Sequence, residues 1–66
     1  MLVTVNGSPR ELPPGLSVRA LLEHLALTSG PVAVEINRAI VPRAKHASHV
    51  VNEGDAIEIV QFVGGG

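Results

Sequence analysis

The chain has 66 residues, no cysteine and a formal net charge of −1. That length holds one domain around one small core, and without cysteine neither a disulfide nor a thiolate-bound metal or iron–sulfur cluster can brace it. The near-neutral charge and the single aromatic residue, Phe62, argue against nucleic acid as a direct partner, because phosphate contacts need excess Lys and Arg and base stacking needs flat side chains.

Packing therefore falls to aliphatic residues, and Val, Leu and Ile supply 21 of them. The opening MLVTVNG lacks the basic start and apolar run of a signal peptide. No apolar stretch approaches the roughly 20 residues of a membrane span, so the expected setting is cytoplasmic.

In chain order, the apolar, β-branched MLVTV predicts a strand. Asn6-Gly7 predicts a two-residue hairpin turn, because both residues tolerate positive φ. A second strand over about Ser8 to Leu12 should pair back antiparallel, and Pro9, with no N–H to donate, places it at a sheet edge. Pro13, Pro14 and Gly15 break the pattern. Ser17 then precedes Val18, Leu21, Leu22 and Leu25, whose spacing predicts an amphipathic helix over Val18 to Ala26. Arg19, Glu23 and His24 fall on its wet face, and Gly30 is the expected left-handed stop.

Val32 to Ile36 reads as a third strand, Asn37-Arg38 as a turn, and Ala39 to Val41 as a short fourth strand stopped by Pro42. Arg43 to Asn52 shows the weakest periodicity. Glu53, Gly54 and Asp55 make a turn before a last strand over Ala56 to Val63. That strand turns apolar on both faces at Val60, Phe62 and Val63, which predicts a central strand buried on both sides. The expected fold class is α+β: a mixed sheet of four to five strands with one main helix on one face. One domain covers residues 1–63, followed by a glycine tail over residues 64–66.

Three stretches, VNG at Val5 to Gly7, VAVEINRAIVPR at Val32 to Arg43 and EGDAIEIVQFVGGG at Glu53 to Gly66, closely resemble the sulfur carrier proteins of thiamine biosynthesis, which have the β-grasp, or ubiquitin-like, fold. The resemblance runs end to end and is weakest over AKHASH, Ala44 to His49, where many members carry a tryptophan that this chain lacks. It implies a carrier rather than an enzyme, and the chain has no cysteine and no nucleophile-and-base motif.

The reactive group implied is the backbone carboxylate of Gly66. An α-carboxylate is ionised near neutral pH and resists attack by a second nucleophile until activated. The resemblance implies three partners: an adenylating enzyme of the ubiquitin-activating class (ThiF-type) that consumes ATP, a cysteine desulfurase or other sulfur donor, and a thiazole synthase (ThiG-type) that receives sulfur from the C-terminal thiocarboxylate. No bound cofactor is expected.

Gly64 and Gly65 would thread the terminus into enclosed active sites too narrow for a Cβ, and Phe62 to Gly66 extended spans about 17 Å. By composition alone the glycines would be a frayed end, but the strand and motif before them point to function. Phe62, Arg38 and Arg43 are candidate docking residues. The basic stretch around Arg38, Arg43 and Lys45, followed by acidic Glu53, Asp55 and Glu58, could steer partners. His46 and His49 are three apart with no completing ligand, so they read as solvated surface and no metal is assigned. Two alternatives stand beside the thiamine carrier. One is a related carrier serving transfer-RNA thiolation, molybdopterin synthesis or protein conjugation; the other is a β-grasp interaction module with an inert tail.

Overall fold

Asn6 and Gly7 reverse the chain at φ of +50° and +82°, the double positive that a two-residue hairpin needs. They join β1 (Leu2–Val5) to β2 (Ser8–Glu11), paired antiparallel from Leu2↔Glu11 to Val5↔Ser8. The computed structural model describes residues 1–62. A second hairpin follows the same rule. Asn37 and Arg38, at φ of +52° and +69°, join β3 (Val32–Ile36) to β4 (Ala39–Val41).

β5 (Ala56–Gln61) lies between the hairpins, antiparallel to β3 and parallel to β1, so the sheet order is β2-β1-β5-β3-β4. Pro9 sits on the edge strand, as its missing N–H requires. A mixed five-stranded sheet with one crossing helix is the β-grasp arrangement expected from the sequence.

Helix α1 (Val18–His24) has only seven residues, and its first-turn amides would ordinarily lack partners. Here the Ser17 hydroxyl accepts from Ala20 N–H, while the carbonyls of His49 and His46 accept from the N–H groups of Val18 and Arg19. The weakly periodic stretch therefore has a defined task. It forms a short 3-10 helix (Arg43–Lys45), caps α1, and is tied again by Val51 N–H to Leu16 O.

The helix stops earlier than the spacing predicts. Ala26 N–H bonds Glu23 O, Leu27 N–H bonds Leu22 O, and Ala26 is left-handed at φ +59°. This is a Schellman stop with alanine in the place glycine usually takes. Gly30 does not have the left-handed φ assigned to it; tucking Leu27 back toward Leu22 requires the reversal four residues sooner.

The core is one aliphatic cluster. Val3, Val5, Val34, Ile36, Val41, Ile57 and Ile59 face inward from the strands, and Val18, Leu21 and Leu22 meet them from the helix. Leu12 and Val51 close the ends, and Leu25 packs at the edge.

The last strand is central but not buried on both sides. Only one face carries the helix, and Val60 and Phe62 are 56% and 54% exposed. Alternation turns the even-numbered residues of β5 away from the core, and none of the described elements covers that face. Val63, the predicted strand end, lies outside the described residues.

Leu21 is fully buried, so Leu21→Ala should cost about 2–5 kcal/mol, seen as a large fall in melting temperature. Ala26→Gly should act oppositely. It relieves a left-handed alanine, and despite glycine's added chain entropy should stabilise by about 0.5–1 kcal/mol, raising the melting temperature by about 4 °C.

Candidate functional site

The last strand carries the terminus, so the site is built around the end of β5. Phe62 N–H donates to Pro31 O at 3.1 Å, continuing the β3–β5 ladder one residue past the strand. The phenyl ring, the chain's single aromatic group, stays half-exposed beside Val60. Gly64, Gly65 and Gly66, the predicted threading segment and attachment point, lie outside the described residues.

Pairing across the sheet defines the surface that Phe62 belongs to. Val60 pairs with Ala33, and Glu58 pairs with Glu35, which pairs in turn with Ile40. All five side chains are exposed, Ile40 by 75%. The helix-free face therefore presents Ile40, Val60 and Phe62 around two carboxylates placed directly opposite one another. Neither Glu35 nor Glu58 forms an ion pair among the described residues. Like charges so placed destabilise a sheet, and nothing within the described domain compensates them.

The three predicted docking residues do not form one cluster. Arg43 begins the 3-10 helix and lines a groove of about 430 Å³ with Arg19, Leu22, Leu27, Pro31 and His46. Pro31 is the residue that holds Phe62, so Arg43 lies at the same end of the sheet as Phe62. Arg38 sits in the β3–β4 turn beside the start of β5, about 20 Å along the sheet from Phe62 at strand rise.

Two charged or polar residues read as surface are buried. His46 is 9% exposed, with Nε2 3.1 Å from Val41 O, because the segment that caps α1 draws its imidazole under the fourth strand. His49 stays exposed. Asp55 is also buried: its carboxylate accepts from Asn52 N–H at 2.8 Å and from the Asn37 amide at 3.0 Å. It holds a turn and drops out of the acidic docking stretch, leaving Glu53 and Glu58. Among the described residues no three His, Asp or Glu side chains are grouped as a metal site, and no helix is long and apolar enough to cross a membrane.

The ThiS family model matches residues 3–66. The chain belongs to the ThiS family. The sulfur carrier protein ThiS of Escherichia coli K12 is 36% identical over 66 residues, covering all of both chains. A crystal structure of the thiamine biosynthesis protein ThiS from Geobacter metallireducens superposes with a TM-score of 0.85 at 36% identity, again covering all of both chains.

The chain is also 46% identical over its whole length to part of a thiazole synthase of Paramagnetospirillum magneticum, of which it spans 20%. A thiazole synthase of Magnetococcus marinus matches at 39%, again over 20% of its length.

Sequence reading located Phe62 but missed Glu35 and Ile40, because their meaning depends on which strands become neighbours. The signal available was alternation: the exposed positions of VAVEI and AIEIV each carry a Glu. Replacing one member of the opposed pair, Glu58→Gln, should stabilise the isolated domain by about 0.2–1 kcal/mol. Thermal melts should show the gain at low salt and a smaller one at high salt, where screening already weakens the repulsion.

Proposed function

We propose that this ThiS-family chain carries sulfur for thiazole formation in thiamine biosynthesis as a thiocarboxylate on Gly66. The observation that supports this above all is the end-to-end correspondence with a sulfur carrier protein, matched over the whole of both chains. The chemistry follows from the group available. A carboxylate oxygen attacks the α-phosphorus of ATP on an adenylating enzyme of the ThiF type, pyrophosphate leaves, and the acyl-adenylate gains a good leaving group. A persulfide supplied by a cysteine desulfurase then displaces AMP to form an acyl disulfide, and a second thiol attacks the donor-side sulfur, leaving the thiocarboxylate while the two thiol sulfurs become a disulfide.

The acceptor is a thiazole synthase of the ThiG type. Support comes from the two thiazole synthases that contain a ThiS-like segment: where carrier and synthase share one polypeptide, the carrier's effective concentration at the synthase is raised. ATP is consumed by the partner and no cofactor resides on the carrier.

Docking uses the helix-free face. Ile40, Val60 and Phe62 supply the apolar contact, with Phe62 at the tail's root as the anchor. Glu35 and Glu58 select a partner with a cationic group between its apolar contacts, where relief of their mutual repulsion favours the complex. Gly64 and Gly65 carry Gly66 into the active site, and Arg43 flanks their entry.

The test is intact mass after incubation with ATP, the adenylating enzyme and a sulfur donor. We expect an oxygen-to-sulfur exchange on the wild-type chain and none when Gly66 is deleted. No adenylate and no exchange, under conditions that turn over an established carrier, would remove the proposal; a Gly66 deletion that transferred sulfur normally would be equally fatal. Phe62→Ala should leave the melting temperature within about 1 °C, because the ring is half-exposed, and weaken partner binding by about 2 kcal/mol or more, the scale of an interface anchor.

A further inference from the structure

β5 is held unequally on its two flanks. Toward β3 it is registered over five residue pairs, from Ile36↔Ile57 to Val32↔Gln61, and Phe62 adds one more bond. Toward β1 only two pairs exist, Thr4↔Ala56 and Val5↔Ile57. β1 ends there because its backbone turns away at Asn6.

The β1 flank is continued by a side chain. The main chain of Asn6 makes the last backbone bond to this flank, N–H to Ile57 O at 2.8 Å. Its amide group then takes Ile59 N–H on Oδ1 at 2.8 Å and gives Nδ2–H to Ile59 O at 3.1 Å. One amide thus occupies both main-chain hydrogen-bonding groups of one β5 residue, as a strand neighbour would. The left-handed φ of Asn6 makes this reach possible, since the backbone leaves while the side chain stays.

Asn37 repeats the device at the other end of β5. At the equivalent position of the second hairpin turn its Oδ1 accepts from Ala56 N–H at 3.0 Å, and its main-chain N–H donates to Ala56 O. The two turns grip the same strand at Ala56 and at Ile59. Only the second grip lies near the terminus.

We infer that Asn6 is a positioning residue for the carrier: its side-chain amide holds the N–H and C=O of Ile59 and so sets the direction in which β5 presents Phe62 to a partner. This rests on the carrier function proposed above. A strand bonded along one flank only can swing about that flank. Phe62 lies three residues beyond Ile59, about 10 Å, so a swing of about 10° carries it through about 2 Å. Misplacement on that scale costs a reaction between positioned groups about a hundredfold. Asn6 is exposed and remote from the helix core, and a turn alone would be served as well by glycine.

The test compares Asn6→Gly with Asn37→Gly. Both keep a residue that adopts positive φ freely, and each removes side-chain bonds to β5. With the adenylating enzyme and ATP, at a temperature where both variants are folded, Asn6→Gly should lower kcat about tenfold or more while KM for the carrier stays within about threefold. Asn37→Gly should leave both within about twofold, although it loosens the fold comparably.

Amide exchange supplies a readout independent of activity. Ile59 and Phe62 should exchange about tenfold faster in Asn6→Gly, and Ala56 in Asn37→Gly. A normal kcat for Asn6→Gly, or an equal loss in Asn37→Gly, would overturn the positioning role. Should the wild-type chain not be adenylated at all, the carrier proposal fails. Positioning is then judged by exchange alone, and unchanged protection of Ile59 and Phe62 in Asn6→Gly refutes it.

Discussion

β5 enters the sheet between two strands that already belong to separate hairpins, and it is the last of the described elements. Until it does, β1 with β2 and β3 with β4 are two-stranded ribbons, which are marginal alone in water. Its arrival joins them into one sheet and completes the apolar floor on which α1 rests. The parallel contact with β1 closes a long span of chain, fastened at its start by Leu2 N–H to the Glu53 carboxylate, Gly54 N–H to Leu2 O and Thr4 N–H to Asp55 O. Loop-closure entropy grows only slowly with span, so a few such bonds together with the burial of Ile57 and Ile59 suffice to close it.

That constraint ties function to folding. Under the proposed carrier function the working group follows β5, so the strand must not fray, and its central place in the sheet meets that need. The strand is gripped on both flanks as far as Ile59, and on the β3 flank as far as Phe62. The opposed carboxylates of Glu35 and Glu58 fit the same division of labour. One face of the sheet is optimised for packing with Val34, Ile36, Ile57 and Ile59. The other keeps a repulsion and three exposed apolar side chains, features that stability alone would remove.

Much of this was legible in local sequence. The turns at Asn6-Gly7 and Asn37-Arg38, the Ser17 cap, the edge position of Pro9 and the central place of the last strand follow from residue-level rules, although the positive φ of Arg38 does not. What escaped was decided by tertiary contact. His46 reads as polar surface until the cap of α1 pulls its segment under Val41. Asp55 reads as part of an acidic run until its turn buries the carboxylate among amide donors. Val60 and Phe62 read as core because apolar residues on both faces of a strand ordinarily mean burial on both faces; here one face has no covering layer. The Asn6 amide is a further case, since the turn rule accounts for its backbone and is silent about its side chain.

The position of the one aromatic residue bears on why the exposed face exists. A domain this small, with an aliphatic core and no cross-links, would gain about 1.5–3 kcal/mol from burying a phenyl ring, a large share of the stability such domains have. The ring instead stands half in water at the last described residue before the tail. Solvation does not explain that choice, since any polar residue would serve the surface better. The proposed carrier function offers a reason, because an aromatic side chain gives a partner large apolar area with few rotatable bonds to immobilise. On that proposal Phe62 engages a partner's rim, and the body contributes orientation and recognition while the chemistry proceeds on a backbone carboxylate that carries no side chain.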